Sequence, residues 1–200
     1  MGIEIRQATP ADIPTLAAVL ARAFGRDPMV VWPFVTGEDL ETRIRAHFEQ
    51  LDGLLAAEGW MYEAGRADGV MALIPPGSEA RTRVTDQASV RGMADLTPDE
   101  GRRYEQFWAW IEGCHPDEPH WLLDQLAVDP SMQGRGIGRA MLELAIVRAA
   151  ADQLPLFLET GTERNVALYR RFGFTEIRAA DAPGGGPRVW FMRRDPQRAE

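Results

Sequence analysis

Between positions 129 and 139 the chain reads Asp129-Pro130-Ser131-Met132-Gln133-Gly134-Arg135-Gly136-Ile137-Gly138-Arg139, a turn that few folds can accommodate. An almost wholly apolar strand pattern, Trp121 to Val128, precedes it, and a helical pattern from about Gly136 to Ala151 follows. Three glycines at alternate positions remove the side chains that would hold a ligand away from the backbone. The amides of such a turn point inward at a helix N-terminus, whose dipole favours an anion. Arg135 and Arg139 can add side-chain charge. The segment therefore reads as an anion cradle between a strand and a helix of an α/β fold.

Two familiar phosphate loops do not fit. The dinucleotide fingerprint G-x-G-x-x-G fails because Arg139 stands where the third glycine would follow Gly134-x-Gly136. The nucleoside-triphosphate loop needs a lysine, and all 22 basic residues here are arginine. The absence of lysine also excludes Schiff-base catalysis. With 30 acidic residues the formal charge is −8, which argues against nucleic acid or an anionic membrane as the main partner. The single cysteine, Cys114, excludes an internal disulfide and a cysteine-based zinc cluster. Met1 to Pro10 carries no apolar signal segment and no run approaches membrane-spanning length, so the expected compartment is the cytoplasm.

Periodicity places the remaining elements, and 200 residues without a linker suit one domain over 1–200. Ile3 to Ala8 alternates like a half-buried strand, and Thr9-Pro10-Ala11-Asp12 is a helix start followed by Ile13, Leu16, Ala17, Leu20 and Phe24 at helical spacing. Gly25 to Thr36, broken by Pro28 and Pro33, reads as an apolar loop, and a second helix is predicted from about Glu38 to Glu58. Two strands, Trp60 to Ala64 and Val70 to Ile74, flank a turn. Thr97-Pro98-Asp99-Glu100 starts a helix that runs to about Cys114. Leu156 to Thr160 is a strand, Asn165 to Phe172 a short helix, and Thr175 to Arg178 and Val189 to Arg193 are strands joined through Gly184-Gly185-Gly186. This order predicts a mixed α/β sheet with helices on both faces.

Gln133-Gly134-Arg135-Gly136-Ile137-Gly138 resembles the Q/R-x-x-G-x-G/A pyrophosphate loop of the GCN5-related N-acetyltransferases (GNAT). Leu158 to Phe174 resembles a second element of the same family, present here as N-x-A-x-Y-x-x-x-G-F from Asn165, in the expected order and separation. From about Tyr104 to Arg194 the chain is similar to the puromycin N-acetyltransferase branch, through Glu118-Pro119-His120-Trp121, Leu158-Glu159-Thr160 and Gly186-Pro187-Arg188. The resemblance implies the GNAT fold, a mostly antiparallel central sheet of about seven strands. It implies acetyl-CoA as co-substrate and transfer of an acetyl group to a primary amine of a small molecule. A protein N-terminus or lysine as acceptor, and a non-catalytic acyl-CoA-binding module, are the alternatives. Many relatives are dimers, so the resemblance also admits a homodimer.

The family also suggests roles. A bulge in the strand matching Trp121 to Val128 would leave backbone groups near Leu126, Ala127 and Val128 for the pantetheine arm. Gln133, Gly134, Arg135, Gly136, Ile137, Gly138 and Arg139 would hold the pyrophosphate, and Asn165, which by its position also suits a helix N-cap, would contact the arm. Tyr169 matches the tyrosine that protonates the leaving sulfur. Thioester aminolysis also needs a proton acceptor, for which Glu159 is the first candidate and Asp124 the second. The histidines suggest no metal: His47 is expected to be partly exposed on its helix, and His115 and His120 to order their loop. Cys114 reads as an ordinary small apolar residue. Trp32 and Phe34, on the predicted loop, are the better candidates to line an acceptor pocket, with Phe24, Trp60 and Trp108 behind them.

Overall fold

The structure, a computed structural model, describes residues 2–35, 39–78, 92–93, 95–97, 99 and 101–196. Seven strands form one sheet: β1 (Ile5–Gln7), β2 (Met61–Ala64), β3 (Gly69–Ile74), β4 (Trp121–Val128), β5 (Leu156–Thr160), β6 (Thr175–Asp181) and β7 (Arg188–Arg194). Their order across the sheet is β1-β2-β3-β4-β5-β7-β6. Every pairing is antiparallel except β4 with β5. This is the mixed, mostly antiparallel sheet expected.

The described helices are α1 (Ile13–Phe24), α2 (Pro28–Phe34), α3 (Leu40–Ala57), α4 (Arg102–Glu112), α5 (Ile137–Ala151) and α6 (Glu163–Arg170). Strand alternation sorts the core into two layers. Val70, Ala72 and Ile74 of β3 face α1 to α4, while Met71 and Leu73 face α5 and α6. Helices therefore cover both faces.

Local sequence explains most of the boundaries. The Asp12 carboxylate accepts from the Thr9 N–H at 2.8 Å, forming a 3₁₀ turn that leads into α1. Gln133 to Gly138 needs its glycines for backbone shape: Gly134 and Gly136 have φ of +79° and +85°, the left-handed region, and Gly136 caps α5. The expected start of α3 at Glu38 lies outside the described residues, as do Pro98 and Glu100. Thr97 and Asp99 still act as caps, accepting from the N–H groups of Gly101 and Arg103.

Three expectations are corrected. Gly25 to Thr36 is not all loop: Asp27 accepts from the Met29 N–H at 2.9 Å, Pro28 occupies the first turn, and residues 28–34 are helical. Asn165 is not a helix cap, because α6 begins earlier and Thr162 accepts the Asn165 N–H. His47 is buried rather than partly exposed, since α2 and α4 close over its helix. Its ring lies 5.4, 5.0 and 5.3 Å from those of Phe34, Phe48 and Tyr104.

Burial changes the titration of two groups on α3. It pushes the His47 imidazole down to about 3, so the ring is neutral near pH 7. It pushes the Asp52 carboxyl up from 3.8 to about 8, reinforced by Asp124 and opposed by a 2.9 Å hydrogen bond from Gln125 Nε2. Between these limits the folded protein holds a proton on Asp52 that the unfolded chain has released, so stability falls as pH rises from about 4 to 8. Asp52→Asn removes this loss. Calorimetry should find the variant's thermal midpoint raised by more than about 2 °C at pH 8, with little change at pH 4. Parallel pH dependence of the two proteins would mean that Asp52 ionises normally in the folded state.

Candidate active site

Strand β4 carries the site through two irregularities. Against β3 the register shifts: Ala72 pairs Gln125 and Leu73 pairs Leu123, leaving Asp124 as the extra residue of a bulge. Against β5 the parallel ladder comprises only Trp121 with Leu156 and Leu122 with Phe157. Beyond Leu122 the two strands separate, opening a slot through the middle of the sheet. The bulge foreseen from the family resemblance thus lies at Asp124, and the splay follows it directly.

Backbone polarity along the free edge follows from strand alternation. The Asp129 N–H reaches the Asp68 carbonyl on the β3 side at 2.9 Å, so Ala127 also directs its polar groups toward β3. Leu126 and Val128 direct theirs into the slot, and the Val128 carbonyl accepts from Gln133 Nε2 at 3.3 Å. Of the three backbone positions expected to serve a ligand, Ala127 is therefore the exception. Its side chain is buried in the core beneath α1 to α4.

Two cavities meet at this slot. An open groove of about 1710 Å³ runs along the glycine turn and the start of α6. Gln133, Gly134, Gly136, Ile137, Gly138, Arg139 and Asn165 line it, together with Leu126 and Val128. Arg135 is exposed and does not line it. Arg26, Arg164 and Arg171 do, and they bring positive charge that the turn alone does not announce. Arg139 is shared with Glu143, 2.8 Å away. Arg22 binds the Asp129 carboxylate at 2.6 Å, joining the end of α1 to the turn.

The second cavity, about 790 Å³, lies between the sheet and α1 to α4. Phe24, Phe48, Leu51, Tyr104 and Trp108 form its apolar wall, and Asp27, Asp124, Gln125 and Glu159 its polar one. Trp32, Phe34 and Trp60 do not line it. Trp32 packs its ring against Phe107 and Arg103, Phe34 is core, and Trp60 donates to Glu58. Asp27, Leu126, Asn165 and Tyr169 border both cavities.

Tyr169 is buried at this junction and belongs to the core on the α5–α6 face, so it reaches the second cavity through the slot. Burial first, then the Asp27 and Glu159 carboxylates, push its phenol well above the ordinary value, so it keeps its proton at neutral pH. Asn165 donates from Nδ2 to Thr160 Oγ1 at 3.1 Å, which fixes it across the end of β5. Glu159 follows Phe157 by one strand period and faces the cavity side of the sheet. Its Oε2 lies 3.5 Å from His115 Nε2, and Glu112 Oε2 lies 3.3 Å from the other ring nitrogen. His115 thus joins the cavity wall to the surface, more than the loop-ordering role expected of it. Asp27, absent from the sequence-derived site, is raised by burial despite its bonds from the Met29 and Val30 amides. The Asp-Pro helix start was the available signal for it.

The tyrosine, Glu159 and the glycine turn, distant in sequence, therefore surround one continuous passage. It can hold an anion at its outer end and a slender chain across the slot. At its midpoint stand a proton donor and a carboxylate. Among the described residues no group of three or more His, Cys, Asp or Glu side chains is arranged to hold a metal ion, and no helix is long and apolar enough to cross a membrane.

Residues 85–176 match the family model of the acetyltransferase (GNAT) domain. Mycothiol acetyltransferase of Beutenbergia cavernae is 40% identical over 65 residues, which are 31% of this chain and 22% of that protein. N-alpha-acetyltransferase RimI of Mycobacterium tuberculosis is 36% identical over 72 residues, 35% of this chain and 46% of that one. The chain thus spans well under two thirds of the curated relatives it matches. A solved structure from Corynebacterium glutamicum, described as histone acetyltransferase HPA2 and related acetyltransferase, superimposes with a TM-score of 0.73 at 26% identity, covering 100% of this chain and 99% of that one. The family model and the Corynebacterium structure agree with the sheet and its split β4–β5 pair: residues 85–176 match an acetyltransferase (GNAT) domain, and the chain shares the fold of such a protein along its whole length.

Proposed function

We propose that the chain, as a single domain over 1–200 acting in the cytoplasm, transfers an acetyl group from acetyl-CoA to the primary amine of a small molecule. The observation that carries this reading is the junction at Tyr169, where the arginine-rich groove on the glycine turn meets the enclosed aromatic cavity. A cofactor with an anionic head and a narrow arm suits the groove and slot, and an amine suits the acid-lined cavity. A polypeptide acceptor needs an open trough, whereas helices α1 to α4 cover this cavity, which favours the small molecule.

In this reading the Gln133 to Gly138 amides, Arg139 and the arginines of the groove hold the pyrophosphate. Leu126 and Val128 pair with the pantetheine arm, and their N–H groups are the available donors for the thioester oxygen. Glu159 takes a proton from the ammonium and passes it to solvent, the neutral amine attacks the carbonyl carbon, a C–N bond replaces the C–S bond, and Glu159 takes the second proton from the attacking nitrogen as the tetrahedral intermediate collapses. Tyr169 gives its proton to the departing thiolate and is reprotonated from solvent. Asp124, at the β4 bulge and lining the same cavity, is the second candidate for the base. A phenol held neutral by its surroundings is suited to donate, and a carboxylate lining the same cavity is suited to accept.

Two variants test the assignment. Tyr169→Phe should lower turnover at pH 7 by roughly 100-fold and change CoA affinity by less than about twofold, as read by thiol release and calorimetry. Unchanged turnover would remove Tyr169 from the acid role. Gly136→Glu places a carboxylate and a strained left-handed residue at the anion cradle. Acetyl-CoA should raise the thermal midpoint of the parent chain and not that of the variant. An equal shift in both would show that the turn does not hold the cofactor.

A further inference from the structure

The acceptor cavity contains more polar machinery than acetyl transfer to a simple amine requires. Three buried polar atoms at or behind its wall have no hydrogen-bond partner among the described residues: His47 Nδ1, Asp52 Oδ2 and Gln125 Oε1. His47 and Gln125 line the cavity, and Asp52, fully buried behind them, accepts Gln125 Nε2 at 2.9 Å. Buried polar groups are almost always paired within the protein or with a bound molecule. Three orphans on neighbouring side chains therefore mark a place where a ligand supplies the partner. Taking our proposed function as its basis, we propose that this wall is a second recognition site for the far end of the acceptor. The acceptor is accordingly an amine that carries a second cationic N–H group, a diamine or an aminoalkyl guanidine.

The chemistry of each group selects that class. Gln125 spends one N–H on Asp52, and its unpaired Oε1 is an acceptor, which binds N–H and repels carboxylate or phosphate. Asp124 adds a carboxylate close enough to raise the Asp52 proton affinity. Asp27 and Glu159, both close enough to act on the Tyr169 phenol, make the junction with the groove acidic as well, and no arginine lines this cavity among the described residues. His47 does not oppose a cation, since burial keeps its ring neutral. In the same cavity Phe24, Phe48 and Trp108 supply apolar surface for a methylene chain and aromatic faces that attract cations. A monoamine would satisfy Glu159 and leave the inner wall unpaired.

The test measures binding, so that it can fail independently of acetyl transfer. Calorimetry on the full chain with CoA present compares 1,4-diaminobutane and agmatine with butylamine and phenethylamine. The dications should bind at least about tenfold more tightly than either monoamine. Asp52→Asn, which is expected to fold with undiminished stability, should reduce that preference to within about twofold, and Gln125→Leu should do the same. Monoamines that bind as tightly as the dications, absence of dication binding, or a preference unaffected by both variants would each overturn the proposal. Thiol release from acetyl-CoA is followed in the same samples. Selective dication binding without thiol release would sink the acetyltransferase reading and leave the site standing. Turnover of all four amines with no preference would sink the site alone.

Discussion

The pairing of β4 with β5 stops after two residues, and most of the chemistry of this protein depends on that interruption. A parallel ladder carried through to Val128 and Thr160 would seal the sheet and bury the free edge of β4 in hydrogen bonds. Tyr169 would then remain a core residue of one face, with no route to the other. The bulge at Asp124 is the local cause on the β3 side, since it adds a residue and increases the twist of the strand. The edge groups of Leu126 and Val128 are left for a ligand, and the slot between the layers becomes the point at which two cavities meet.

Electrostatics divides that passage into two territories. The outer groove gathers Arg26, Arg139, Arg164 and Arg171 around backbone amides at the start of α5. The inner cavity gathers Asp27, Asp124 and Glu159 beside aromatic rings. A strongly acidic chain can thus bind an anion, because what matters is the local arrangement of charge and the net value of −8 says little about it. Burial adjusts the acid side further. It keeps the Tyr169 proton in place, neutralises His47, and leaves Asp52 as a carboxyl that holds its proton unless a cation arrives.

Much of this was legible before any coordinates. Trp121 to Val128 and Leu156 to Thr160 are strands with the expected ends, because uninterrupted apolar runs bounded by turn residues have few alternatives. The glycine turn was legible because its φ values demand glycine. The stretch from Gly25 to Thr36 misled: two prolines weigh against a helix, yet one of them occupies the first helical turn, where its missing N–H does no harm. The assignment of Trp32 and Phe34 to an acceptor pocket failed with it. His47 misled for a different reason, since a polar residue on an amphipathic helix reads as part of its solvent side, and the packing of α2 and α4 from elsewhere in the chain buries it.

By itself the sequence determined what local forces specify: the alternating and helical periods, the caps, the anion-binding turn and the tyrosine five residues before Phe174. Tertiary structure alone decided which of the separate carboxylates share a cavity, which strand edge stays unpaired, and which polar atoms are left without partners. Those properties depend on desolvation and on contacts between residues as far apart as Asp52 and Gln125. Such contacts exist only once the chain has closed on itself, and no local pattern encodes them.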